Sequence, residues 1–300
     1  RGLVVLKDGK LAAERYYGGF TRHSRFNSWS VGKSITSTAV GIALNEGKIG
    51  SVDDPVTKYL PWLKNSGYNG VKIKHVLQMS SGQNYDESDY TQVMEGATGT
   101  TIRMVLGDPL KKQATESRRI RQPGTKFNYA SMDTFVLGQL VEAATGQKLA
   151  TYVQNKIWHP GGMASSALVG EDYYGSPIAY ASYNATTRDF ARFGDMFANG
   201  GEVRGKQVVP ADWVREATTP QSDYLTPGSS ESIGYGYQWW LCGGDRGDFF
   251  ANGLLGQRVY VWPAGGVVIA VNSEDFNSGT PSAEIIAAYR AVADKVVTQG

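Results

Sequence analysis

Gly256-Gln257-Arg258-Val259-Tyr260-Val261-Trp262 is followed by the turn Pro263-Ala264-Gly265-Gly266 and then by Val267-Val268-Ile269-Ala270-Val271-Asn272. Two β-branched and aromatic runs joined by a short Pro/Gly turn read as neighbouring antiparallel strands. Tyr235 to Leu241 reads as a third strand of this kind, and Ala283 to Val297 as a closing helix. At the other end of the chain, Leu3 to Leu6 and Leu11 to Tyr17 flank Lys7-Asp8-Gly9-Lys10. Asp-Gly supplies the positive φ angles of a tight hairpin turn, so the chain opens with strands too.

Between these ends the period changes. Val31, Ile35, Ala39, Ile42 and Ala43 are spaced for one helix face, with Ser30 before them and Gly47 at the C-terminal stop. Helices are further predicted near Ile73 to Met79, over Ser131 to Thr145 and Ala150 to Trp158, then at Thr187 to Asn199 and Ala211 to Ala217. Hairpins rather than βαβ crossovers make this an α+β fold, an antiparallel sheet flanked by helices with a mainly helical insert. The expected division is residues 1–50 and 180–300 as an α/β domain and 51–179 as a mainly helical domain.

Composition narrows the function. With 300 residues, 41% hydrophobic and 11% aromatic, the chain can fill a sizeable core. The longest nearly apolar stretch, Val261 to Val271, is interrupted by Pro263 and two glycines and is well short of the roughly 20 residues a membrane helix needs. A formal net charge of +2 with dispersed basic residues gives no footprint for nucleic acid. One cysteine, Cys242, forbids an internal disulfide, and with three scattered histidines it argues against a metal site. No cofactor is implied. The chain begins at Arg1 rather than methionine and its first apolar run is too short for a signal peptide, so a preceding segment is expected and the compartment, cytoplasmic or exported, stays open.

Neither Gly-x-Ser-x-Gly nor His-Glu-x-x-His occurs, and Asn27 stands where a phosphate loop ending at Lys33-Ser34 would need its first glycine. What remains is Ser30-Val31-Gly32-Lys33, a hydroxyl and an amine one helical turn apart. With 23 serines and 15 lysines about one such pair arises by chance, so spacing alone favours Ser30 as a plain N-cap and Lys33 as a solvated residue. Its position at the start of a long apolar helix is the first sign of more, because free N–H groups there stabilise a developing negative charge.

The company of that pair is more specific. Ser30-Val31-Gly32-Lys33, the run Asp53-Asp54-Pro55-Val56 to Tyr59-Leu60-Pro61, Gln122-Pro123-Gly124-Thr125-Lys126-Phe127-Asn128-Tyr129-Ala130-Ser131, and Thr187-Arg188-Asp189-Phe190 together resemble the serine β-lactamase and penicillin-binding-protein superfamily, in its class C-like branch. The resemblance covers almost the whole chain and implies a β-lactamase/transpeptidase-like fold. Tyr237-Gln238-Trp239-Trp240, Gly244-Asp245-Arg246-Gly247 and Gly253-Leu254-Leu255-Gly256-Gln257 are most similar to the 6-aminohexanoate-dimer hydrolases, amidases of nylon oligomers, and their carboxylesterase relatives. Two departures separate the chain from β-lactam-processing members: Ala251 replaces the cation of the third motif, and Ala130-Ser131 follows Tyr129 where class C enzymes have Ser then Asn.

The resemblance implies a cofactor-free serine hydrolase of small-molecule amides or esters. Ser30 would be the acyl nucleophile, Lys33 and Tyr129 its base system, and the backbone N–H groups of Ser30 and Leu254 the oxyanion donors. In the acidic loop Asn84 to Tyr90, Tyr90 is the candidate substrate contact. Gly253 and Trp240 are further substrate-binding candidates, with Trp239 and Trp262 as candidate pocket walls. A carboxylesterase or β-lactamase of the same fold is the alternative within the class, and a non-catalytic ligand-recognition module the alternative outside it.

Overall fold

The computed structural model describes residues 1–85, 87, 96–228, 233–274 and 283–299. Its strands are β1 (Gly2–Lys7), β2 (Lys10–Tyr16), β3 (Arg25–Asn27), β4 (Leu168–Val169), β5 (Tyr183–Thr186), β6 (Glu202–Val203), β7 (Lys206–Gln207), β8 (Ile233–Tyr235), β9 (Trp240–Cys242), β10 (Phe249–Gly253), β11 (Gln257–Trp262) and β12 (Val267–Asn272). Its α-helices are α1 (Val31–Asn45), α2 (Ile73–Leu77), α3 (Gly96–Val105), α4 (Leu110–Glu116), α5 (Ser131–Thr145), α6 (Leu149–Val153), α7 (Thr187–Ala198), α8 (Ala211–Ala217) and α9 (Ala283–Gln299).

The main sheet has the order β2-β1-β12-β11-β10-β9-β8. All of its pairings are antiparallel, and Leu3↔Val271 joins the first hairpin to the last strand. Asp8 and Gly9 take φ values of 48° and 70°, the left-handed pair that a two-residue hairpin turn demands. The runs flanking Pro263 thus lie at the centre of the sheet, where both faces are covered. This explains their near-continuous apolar character.

One face packs on α1 and α7. The approach is close because Gly194 of α7 has no side chain: a Cβ there would lie 2.6 Å from Val259 and 2.7 Å from Val268. Phe193, Phe197, Trp239 and Phe249 cluster on this face, with ring centroids of Phe197 and Trp239 4.5 Å apart. Burying each such side chain stabilises by about 1.5–3 kcal/mol. The opposite face, with Phe250, Tyr260 and Ile269, is covered by α9 through Ile286 and Ala293. Helices α2, α4 and α6 pack around α5, which also lies against α1, while Trp213 of α8 sits against α1 at Gly41.

Within the main sheet two elements differ from the sequence reading, and β3 to β7, α3 and α4 lie outside that reading altogether. Tyr235 to Leu241 is not one strand but two, β8 and β9, folded back at Gln238, whose φ is 65°. Gln238 is buried, donating to Leu77 O at 2.7 Å and accepting from Thr134 Oγ1 at 2.6 Å, so tertiary hydrogen bonds hold a turn that an apolar aromatic run does not advertise. β10 has no counterpart in the sequence pattern, because Asn252-Gly253 dilutes it and only its neighbours define it. Among the described residues no helix is long and apolar enough to cross a membrane.

Candidate active site

Ser30 lies at the N-terminus of α1 with φ −68° and ψ −6°, and its side chain makes no capping bond. Lys33, one turn on, is 1% exposed and reaches back so that its Nζ lies 3.1 Å from Ser30 Oγ and donates to Ser131 Oγ at 2.7 Å. Ser131 is the first residue of α5. The packing of α5 against α1 therefore brings the N-termini of two helices onto one amine. Burial pushes the Lys33 ammonium down to about 8, against the opposing pull of Glu87 and Asp133.

Tyr129 stands two residues before α5, and its ring lies 4.9 Å from Lys33 Nζ. Its loop is fixed by Asn128 N–H donating to Met79 O at 2.7 Å and the Asn128 side-chain amide to Tyr85 O at 2.6 Å. The turn before it tolerates only glycine at 124, where φ is 77° and a Cβ would lie 2.5 Å from the His75 ring. Trp240 packs on Tyr129 at 5.3 Å, and Phe127 and Tyr235 complete an aromatic wall. On the other side of the amine, Tyr180 lies 5.4 Å from Lys33 Nζ.

β10 brings Gly253 against the Ser30 backbone. A Cβ at 253 would stand 2.6 Å from Ser28 O and 3.1 Å from Ser30 N, so glycine keeps that approach open. Leu254 follows in a short 3₁₀ turn and is 39% exposed. Ser30, Lys33, Tyr129, Trp240, Gly253 and Leu254 thus fall at one end of α1 and the adjoining edge of β10 and β9. Tyr90 lies outside the described residues. Trp239 is a core side chain packed on Phe197 and Phe249, and Trp262 stacks beneath the Arg246 guanidinium at 3.5 Å, at the end of β11 away from Ser30. Neither is a pocket wall.

Three polar groups that the sequence reading did not single out lie around the Lys33 amine. Ser131 carries the amine's second hydrogen bond; its signal was its place two residues after Tyr129. Glu87, a buried member of the acidic loop, accepts from Ser131 N–H. Asp133 is fully buried in the first turn of α5, accepting from Tyr68 OH at 2.7 Å. Burial pushes its carboxyl up to about 7 despite donors from Ser81 and Tyr68. No local pattern distinguishes such an aspartate from an ordinary first-turn acid.

An antiparallel sheet between helices, with a serine and a buried lysine at the head of a central helix, defines a β-lactamase-fold serine hydrolase. The chain matches the Beta-lactamase family over residues 2–294 and belongs to that family. It is 32% identical over 275 residues to the 6-aminohexanoate-dimer hydrolase of Paenarthrobacter ureafaciens, covering 87% of this chain and 69% of that protein. Among solved structures it superposes on a Bacillus anthracis protein assigned provisionally as a 6-aminohexanoate-dimer hydrolase, with TM-score 0.86 and 27% identity, over 99% of this chain and 79% of that one. A family VIII carboxylesterase shares the fold, with TM-score 0.73 at 15% identity over 96% and 92% of the two chains.

Proposed function

We propose that this hydrolase cleaves linear amides of short aliphatic amino acids, of the 6-aminohexanoate dimer type, through an acyl-enzyme on Ser30. The observation that carries the reading is the buried Lys33 amine 3.1 Å from Ser30 Oγ. A lysine in water is almost wholly protonated at neutral pH, whereas one titrating near 8 is neutral in about a tenth of molecules at pH 7. A neutral amine has two N–H donors and one lone pair. One N–H on Ser131 Oγ leaves the lone pair free to face the Ser30 hydroxyl.

Lys33, in one base system with Tyr129, takes the Ser30 proton as Oγ bonds to the substrate carbonyl carbon. The oxyanion is received by the N–H groups of Ser30 and Leu254, to which the glycine at 253 gives access. Collapse breaks the C–N bond, the proton passes to the leaving amine, and water then cleaves the ester to regenerate Ser30. The wall of Phe127, Tyr129, Tyr235 and Trp240 suits an aliphatic acyl chain. Ala251, buried where relatives that process β-lactams carry a cation, argues against a substrate anchored by its carboxylate at that point.

The test is intact mass after incubation with a fluorophosphonate, for wild type and Ser30→Ala, with hydrolysis of a linear 6-aminohexanoate dimer and of a p-nitrophenyl hexanoate ester. A single adduct lost in the variant, with dimer turnover, is expected. Ester turnover alone reassigns the chain as a carboxylesterase, and a folded wild type that takes no adduct overturns the acyl-enzyme.

A further inference from the structure

The residue that precedes Ser30 has an unusual backbone. Trp29 takes φ 44°, and Val31 N–H donates to Ser28 O at 3.2 Å across the turn. Since Ser30 itself has φ −68°, the turn follows the type II′ pattern, which ordinarily places glycine at its second position. A large side chain there persists only where the surroundings hold it.

Ser28 supplies much of that hold. It is fully buried, where β3 leaves its partner β5. Its N–H donates to Tyr183 O at 2.8 Å, and its Oγ accepts from Tyr183 N–H at 3.1 Å and donates to Trp29 O at 2.9 Å. Gly32 N–H gives Trp29 O a second donor at 3.0 Å. Gly32 has no side chain, and needs none: a Cβ there would fall 2.7 Å from the Tyr183 ring and 3.0 Å from Ser28 Oγ. The hydroxyl thus bridges a strand and the left-handed turn.

Trp29 C=O and Ser30 N–H belong to one planar peptide unit, so a group that fixes the carbonyl fixes the direction of the amide on the opposite edge. We propose that Ser28 is a positioning residue for the reaction: its buried hydroxyl, by holding Trp29 C=O, aims the Ser30 N–H at the developing oxyanion and seats Ser30 Oγ on Lys33. Ser28 touches neither substrate nor reacting atoms. The inference rests on Ser30 being the acyl nucleophile and its N–H an oxyanion donor.

The test compares Ser28→Ala with Thr36→Val, which also removes a buried hydroxyl of α1, one bonded to Ala179 O and Tyr183 OH rather than to the peptide before Ser30. Rates are normalised to the fraction that a fluorophosphonate finally labels, well below each Tm. Loss of an aimed oxyanion donor predicts a fall in kcat of about 100-fold for Ser28→Ala, with KM within about 3-fold. A boronic acid whose tetrahedral adduct carries the oxyanion should lose affinity by the same factor. Thr36→Val should lose stability but keep kcat within about 3-fold. If Ser28→Ala does not fold, Ser28→Cys, which retains a weak donor, should show an intermediate fall of about 10-fold. Labelled wild type with equal normalised kcat for wild type and the Ser28 variants, or an equal fall in Thr36→Val, overturns the role of Ser28 alone. An unlabelled wild type overturns the acyl-enzyme reading beneath it.

Discussion

α1 and α7 both begin after a hydroxyl residue, and they use it in opposite ways. At α7, Thr186 Oγ1 accepts from Asp189 N–H at 3.2 Å and donates to the Asp189 carboxylate at 2.9 Å. Asp189 in turn receives Ala164 N–H, Ser165 N–H and Arg192, so the helix start is capped and tied to the neighbouring loop. At α1, Ser30 makes no capping bond and its hydroxyl faces Lys33. Similar side-chain chemistry at the same helix position serves stability in one case and is held in reserve in the other. What differs is the surroundings: α5 and β10 close over the head of α1, whereas the head of α7 meets the backbone of the loop at Ala164 and Ser165.

The comparison breaks most severely at Ser30. Ser30→Ala should abolish amide and ester turnover, by 10⁴-fold or about that, while leaving Tm within a degree or two, because no cap is lost. A large drop in Tm would mean that the hydroxyl is structural after all. Next comes Lys33→Met, which should also remove turnover yet stabilise the protein. The sign follows from the amine's fall from 10.5 to about 8: the unfolded chain binds its proton more tightly, so below about pH 8 the buried lysine opposes folding, by about 3 kcal/mol at most. A denaturant midpoint raised by the equivalent of about 1–3 kcal/mol at pH 7, with the gain shrinking as pH rises from 8 to 10.5, is the expected result.

Asp133→Asn sharpens the contrast without destroying the site. Removing a carboxylate that favours the charged amine should lower the Lys33 pKa further, moving the acid limb of kcat/KM to lower pH. A limb that moves upward, or not at all, would detach Asp133 from the titration of Lys33. The smallest effect on catalysis is expected at the other helix. Thr186→Ala should cost about 1–2 kcal/mol of stability through loss of the cap and leave kcat/KM within about 2-fold at temperatures where the protein is folded.

Much of the frame was legible because it is written in local pattern. Asp8-Gly9 announced its hairpin, the runs around Pro263 announced the central strands, and α5 and α8 have the bounds that periodicity gave them. The reading failed where distant residues decide the backbone. Gln238 folds β8 onto β9 through bonds to α2 and α5, and no neighbour in sequence hints at that. Trp239 and Trp240 are adjacent and equally aromatic, yet at the entry to β9 one side chain turns into the core with Phe197 and the other onto Tyr129.

The amino-acid sequence by itself determined that Ser30 and Lys33 share a face at a helix start, that Tyr129 follows a Pro-Gly turn, and that the sheet is antiparallel, because spacing and turn chemistry act over a few residues. Only the tertiary structure decided that Lys33 is buried rather than solvated. That burial comes from α5 and the aromatic wall, elements distant from Lys33 in sequence, and it is burial that lowers the amine toward neutrality. The hydroxyl of Ser28, the carboxyl of Asp133 and the hydroxyl of Ser131, which accepts from Lys33, belong to the same category: each is an ordinary side chain until the chain closes around it and removes water as its partner.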